Sequence, residues 1–343
     1  MTYSKTLLFS ILGIGAAVAG FGLHTHIVKV KAAKMEHTAT TAPYFPTGAP
    51  WTQDISHAPL DPNSDKIITW LASVGGWGFG RMQTDFSMRV IQATPTTPMV
   101  PFHRGNGFYV PDSDFVSTVP LPPGGGMEGV PGYQCPISEQ DCHYIVVDRP
   151  HEKLYEAWQA TYTDGAVSAQ FLAVWDLSRV YPPSGRGEQC TSADAGGLPI
   201  APLLFNADEI AAGSINHAIR FILPNPRIRA HVYVHPGTHA GAPRGPLNAP
   251  AMGARFRLKS SFDMSQLTPA AQVVARAMQK YGMFLSDGGN ITLTAQNDLD
   301  TTAKYAAIDF GSHDMQPIKV TDFEVIDSGP GIRMSDDCVR NKF

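Results

Sequence analysis

Apolar and polar positions alternate over short stretches of this chain, and Gly- and Pro-rich segments separate the stretches. The clearest pattern lies in the middle. Tyr144-Ile-Val-Val-Asp148 is an apolar run. Leu154-Tyr-Glu-Ala-Trp-Gln-Ala-Thr-Tyr162 and Phe171-Leu-Ala-Val-Trp-Asp176 are rich in aromatic and β-branched residues, with Asp164-Gly165 between them. Such a pair around an Asp-Gly reads as an antiparallel hairpin. A tip at Asp164 to Ala166 pairs residues whose numbers sum to about 332, which sets Glu156 opposite Asp176 and Trp158 opposite Val174.

Strand patterns recur at 86–91, 215–223, 231–235, 255–259, 283–290, 291–294 and 323–326. Helical signals are fewer. Asn63 or Ser64 can cap a short helix over 66–72 that Gly75 ends, and Asn206 can cap another over 207–212. The longest helix is expected near 269–281, where Thr268 and Pro269 supply a start and Val273, Val274, Ala277, Met278 and Tyr281 an apolar face. Residues 93–132 read as long surface loops. The fold expected is mainly β: a jelly-roll-like β-sandwich with a few short helices and the one longer helix.

The N-terminus changes the picture. Lys5 precedes an apolar run ending near Ala17-Val-Ala19, the form of a signal peptide, or of a membrane anchor if it stays uncleaved. Residues 1–23 are assigned to that segment, 24–43 to a tether and 44–343 to a single β-rich domain. A net charge of -4 and the lack of a basic patch argue against nucleic acid as a partner, and a membrane partner is expected only if the anchor remains. The four cysteines agree with export to the periplasm or medium. Cys135 and Cys142 bracket a loop that a disulfide could close, which would leave Cys190 with Cys338, but four cysteines allow three connectivities.

The hairpin also suggests chemistry. Two carboxylates on one strand face repel, so one titrates high, and such a pair is what glycoside hydrolysis requires. Glu156 and Asp176 are therefore the expected acid and base or nucleophile, with Asp194, His217 and Asp287 as auxiliary groups. Trp158, Trp175, Tyr162 and Tyr181 offer faces for sugar rings, and Arg186, Ser192 and Arg220 complete a binding rim. If His217 and a tyrosine converged where Arg186 or Arg220 could neutralise a uronate, a polysaccharide lyase would follow instead. A Ser192-His217-Asp287 triad is a weaker expectation, since Thr191-Ser192-Ala193-Asp194 is no nucleophile elbow. His231, His235 and His239 are close enough to suggest a metal, but they lack a facial carboxylate or a HExxH helix, so no metal or cofactor is expected.

Seven short motifs carry a resemblance: Phe45-Pro46 with Trp51 and Asp54-Ile-Ser56, Asp61-Pro-Asn-Ser-Asp65, Val147-Asp-Arg149, Leu154-Tyr-Glu156, Ser192-Ala-Asp-Ala-Gly-Gly-Leu-Pro199, His217-Ala-Ile-Arg-Phe221 and Tyr281-Gly-Met283. In this order over residues 44 to about 295, the chain resembles a family of exported bacterial β-rich proteins of unassigned activity, some joined to carbohydrate-binding modules. The resemblance implies export, a β fold and a polysaccharide partner, and no catalytic residue. An exported polysaccharide-cleaving enzyme, first a glycoside hydrolase, is thus the expected function. The alternatives are a lyase and a non-catalytic carbohydrate-binding or envelope protein.

Overall fold

Asp164 and Gly165 both take left-handed backbone, with φ of 53° and 82°, and they join two strands by a two-residue turn of the type that suits hairpin twist. The computed structural model describes residues 43–136 and 140–342; the expected signal or anchor segment and the tether up to residue 42 lie outside them.

In chain order the described strands are β1 (Thr84–Met88), β2 (Val90–Gln92), β3 (Met99–Arg104), β4 (Thr118–Pro120), β5 (Tyr144–Asp148), β6 (Lys153–Trp158), β7 (Thr161–Thr163), β8 (Ala166–Ala169), β9 (Phe171–Asp176), β10 (Gly187–Glu188), β11 (Ile219–Leu223), β12 (Val232–Tyr233), β13 (Arg255–Leu258), β14 (Met283–Gly288), β15 (Leu293–Gln296), β16 (Phe323–Val325), β17 (Ile332–Arg333) and β18 (Val339–Arg340). The helices are α1 (Ser64–Ser73), α2 (Ala207–Ala211) and α3 (Pro269–Lys280). The protein is mainly β, with sandwich-like sheets and one longer helix.

A mixed six-stranded sheet runs β1-β15-β11-β14-β13-β16, one four-stranded sheet runs β2-β5-β6-β9, and another runs β4-β3-β8-β7. The β2-β5-β6-β9 sheet is covered on both faces. Ile145, Val147, Leu154, Ala173 and Trp175 belong to one apolar core. Tyr144, Val146, Tyr155, Ala157 and Leu172 belong to a second, which they share with Phe102, Val119 and Val167 of the β4-β3-β8-β7 sheet. A strand covered on both sides is favoured to be apolar at successive positions, which explains the unbroken run Tyr144–Val147.

Several elements differ from expectation. The strand expected at 86–91 is broken at Arg89: β1 joins the six-stranded sheet and β2 the four-stranded one. Residues 93–132 are not all loop, because β3 pairs with β4 and with β8 of the hairpin. Only Val232–Tyr233 of 231–235 is strand. The three helices form where expected, but Asn63, at the start of α1, makes no side-chain cap bond. Thr268 accepts from the Ala271 N–H, and Asn206 forms a reciprocal capping pair with Glu209.

The hairpin register is the consequential difference. Both β6–β9 and β7–β8 pair residues whose numbers sum to 329, from Lys153↔Asp176 to Thr163↔Ala166. The tip is the Asp164-Gly165 pair alone. An odd shift from the expected register exchanges the faces of one strand. Glu156 faces Ala173 and shares its side of the sheet with Trp175, while Asp176 lies on the opposite side.

The two disulfides are Cys135–Cys142 and Cys190–Cys338, with no free cysteine among the described residues, which accords with folding in an oxidising environment. No described helix is long and apolar enough to cross a membrane.

Candidate functional site

The site is built around Arg220. Alternation along β11 sends Ile219, Phe221 and Leu223 to one side of the sheet and Arg220 to the other. The neighbouring β14 runs parallel to β11 and carries a bulge between the pairs Phe221↔Leu285 and Ile222↔Asp287. The extra residue, Ser286, and the next, Asp287, both reach the polar cluster on Arg220's side, and re-aiming side chains is a common use of bulges beside sites.

Asp194 comes from the loop after β10. The Arg220 Nε and Nη2 donate to its two oxygens at 2.9 and 2.8 Å, and the Ser286 hydroxyl donates at 2.6 Å. The Arg220 Nη1 donates to Thr294 Oγ1 at 2.6 Å, and Nη2 also reaches Asp287 Oδ2 at 3.3 Å. Arg220 and Asp194 are buried, a bidentate pair whose remaining polar atoms are largely satisfied. The loop is clamped elsewhere too. Gly197 has a φ of 76°, and a Cβ there would lie 2.0 Å from Thr238 Oγ1, so no other residue fits. His143 bonds the Ala193 carbonyl at 3.0 Å and Glu128 at 2.6 Å. Burial opposes both charges of this pair, but their mutual attraction prevails, bringing Glu128 down to about 2 and His143 up to about 9.

Asp287 sits where this cluster meets a cleft of about 550 Å³, also lined by Tyr109, Asp141, Trp158, Asn225, His239 and Asp336. Burial and the Asp194 carboxylate push the Asp287 carboxyl up to about 7, against the pull of Arg220. Near neutral pH this group can hold or release a proton. Tyr109 and Trp158 meet edge to face, with ring centroids 6.0 Å apart, and the indole N–H donates to Asp141 at 3.0 Å. His239 lines the cleft with its Nδ1 2.8 Å from the Ala195 carbonyl, and burial lowers its pKa, favouring the neutral ring.

Comparison with protein-family models, with curated proteins and with solved structures finds no match. The site therefore stands on its own geometry.

Of the residues expected from the sequence, Asp194, Asp287 and Arg220 come together, with Ser192 and Trp158 lining the adjoining cleft. The Glu156–Asp176 pair does not form. Glu156 is fully buried and accepts from the Ile200 and Ala201 N–H groups and from Trp175 Nε1 at 2.8 to 2.9 Å. Burial raises it to about 7, but it ties Ile200 and Ala201 to the sheet and does not line the cleft. Asp176 accepts from Ser178, which lowers its pKa, and pairs with Lys153 at 3.1 Å. Trp175 is a core residue rather than a sugar platform. Arg186 is buried and bonded to Asp114 and to the carbonyls of Thr191 and Asp112.

The triad is not assembled either. Ser192 Oγ donates to the backbone carbonyls of Asp194 and Leu198, and His217 pairs with Glu209 at 3.1 Å away from the cleft. His235 binds Glu188 and His239 binds Ala195, so these histidines have separate partners. No group of three or more described His, Cys, Asp or Glu side chains is placed to hold a metal ion.

Tyr109, Asp141, Asn225 and Asp336 were missed. The one available signal was Cys338: its pairing with Cys190 brings residue 336 to the loop carrying Ser192.

Proposed function

We propose that this protein is an exported polysaccharide-cleaving enzyme, a glycoside hydrolase, acting in the periplasm or outside the cell. Asp287 is its acid. The observation that carries the reading is the Asp287 carboxyl, raised to about 7 at the edge of a cleft that also offers Tyr109 and Trp158 to a sugar ring. In this reading Asp287 protonates the glycosidic oxygen, and Arg220 and Asp194 act as positioning residues that hold it. Asp336, on the C-terminal tail in the same cleft, is the carboxylate assigned to activate water or attack the sugar.

The lyase alternative has less support. It needs a cation to neutralise a uronate, and Arg220 and Arg186 are already bonded to Asp194, Asp287 and Asp114.

The test is a product assay of the mature protein on a panel of neutral, amine-bearing and uronate polysaccharides, following new reducing ends and absorbance near ~235 nm together. Reducing ends without absorbance are expected, and Asp287→Asn should lower kcat by about 100-fold or more while the protein stays folded. Undiminished turnover by Asp287→Asn would sink the assignment. Retention on a glycan gel with no product from the wild type would leave a binding protein.

A further inference from the structure

The mouth of the cleft has a corner where the two aromatic rings stand beside a carboxylate, Asp141, to which the proposed chemistry gives no role. The Tyr109 and Trp158 rings meet at an interplanar angle of 72°, and both line the cleft. Asp141 joins them, accepting the Trp158 indole N–H. Two steep aromatic faces beside a carboxylate form the arrangement that recognises a substituted ammonium group, through the negative ring faces and a charge partner. The electrostatics of the whole cleft point the same way. Its acidic lining residues are Asp141, Asp287 and Asp336, and among the described residues no lysine or arginine lines it. Arg220 approaches Asp287 but is consumed by Asp194, Thr294 and Asp287. An anionic sugar entering this cleft would meet the Asp141 and Asp336 carboxylates, neither of which is paired with a cation among the described residues. A cationic one would meet two aromatic faces and an available carboxylate oxygen.

We infer that the cleft takes an amine-bearing glycan, a polymer containing unacetylated amino sugar, with the ammonium group held at the Tyr109–Trp158–Asp141 corner. The inference rests on the polysaccharide reading above and deepens it by naming the substrate class. It separates two duties in one cleft: the corner selects the sugar, and Asp287 performs the chemistry.

The experiment uses calorimetric binding of three oligosaccharide sets of equal length to the mature protein: glucosamine oligomers, their fully N-acetylated counterparts and oligogalacturonates. Glucosamine monomer serves as an added probe. Wild-type protein should bind the amine oligomers about tenfold more tightly than the acetylated ones, and uronates least. That preference should weaken as salt is raised. Asp141→Asn removes the charge yet leaves an acceptor for the Trp158 indole. Tyr109→Ala removes one face at a position that is 45% exposed, so the fold should tolerate it. Each variant should bring the amine and acetylated affinities together, and Tyr109→Phe should keep them apart. Equal or tighter binding of acetylated oligomers or uronates by the wild type overturns the inference and leaves the polysaccharide reading standing. Preference unchanged in both Asp141→Asn and Tyr109→Ala overturns the assignment to this corner. Binding of the monomer with no affinity for any oligomer overturns the polymer and, with it, the polysaccharide reading.

Discussion

Glu156 and Asp287 are both carboxyls raised to about 7, and their surroundings give them different work. Glu156 has backbone and indole donors on both oxygens and no path to the cleft, so its titration belongs to stability. The native state holds its proton more tightly than the unfolded chain does. Its contribution is therefore fully present below about pH 4.5 and is lost as pH rises through about 7, an effect of about 3 kcal/mol. Glu156→Gln should be less stable than wild type at pH 5, because an amide NH₂ would face the Trp175 N–H. The deficit should shrink at pH 8, where wild-type Glu156 carries a buried charge. Thermal unfolding of both proteins at the two pH values checks this, and a pH-independent gap would contradict it. In the proposed function Asp287 would show its shift in catalysis instead. As the proton donor it should lose activity as pH rises through about 7, read as the alkaline limb of kcat/KM.

The hairpin shows what a strand pattern conveys and where it stops. Aromatic and β-branched composition marked both arms, and Asp-Gly marked the turn. The pairing depended on which two residues occupy the tip, and with a side-chain period of two an odd error moves every partner to the other face. Local turn geometry supplies the answer, since Asp164 and Gly165 alone take positive φ there. Gly165→Val meets no neighbour but forces a β-branched residue into left-handed backbone, and should cost about 1–2 kcal/mol, read as a lower urea midpoint. The bulge at Ser286 was less legible. Nothing in Met283-Phe-Leu-Ser-Asp287 shows that one residue is extra, because a bulge is defined by the partner strand.

At the scale of the molecule, the C-terminal tail completes the cleft. Cys338 bonds Cys190, Arg340 pairs with Asp114, Asn341 bonds Ser184 and Gly185, and the tail's Met334 and Asp336 line the cleft. The Cys190–Cys338 bond spans 148 residues, against 7 for Cys135–Cys142. Closing the longer loop restrains the unfolded chain more. Cys338→Ser should destabilise the protein by about 2–5 kcal/mol and, under the proposed function, weaken glycan binding, whereas Cys142→Ser should have the smaller effect on the urea midpoint. Equal losses would show that the tail is held by its polar contacts instead.

The β-rich class, the caps of α2 and α3, the Asp-Gly turn and the residue types of the site are legible along the chain, because each is written in local periodicity or in the chemistry of a few adjacent residues. Asp194, Arg220 and Asp287 were legible as candidates for that reason. The three-dimensional fold alone shows that they meet, that Glu156 and Asp176 do not, and that Tyr109, Asp141 and Asp336 share a cleft with Asp287. Those outcomes depend on strand register, on a bulge defined across two chain segments and on a tail returned by a disulfide, each a relation between residues far apart in the chain.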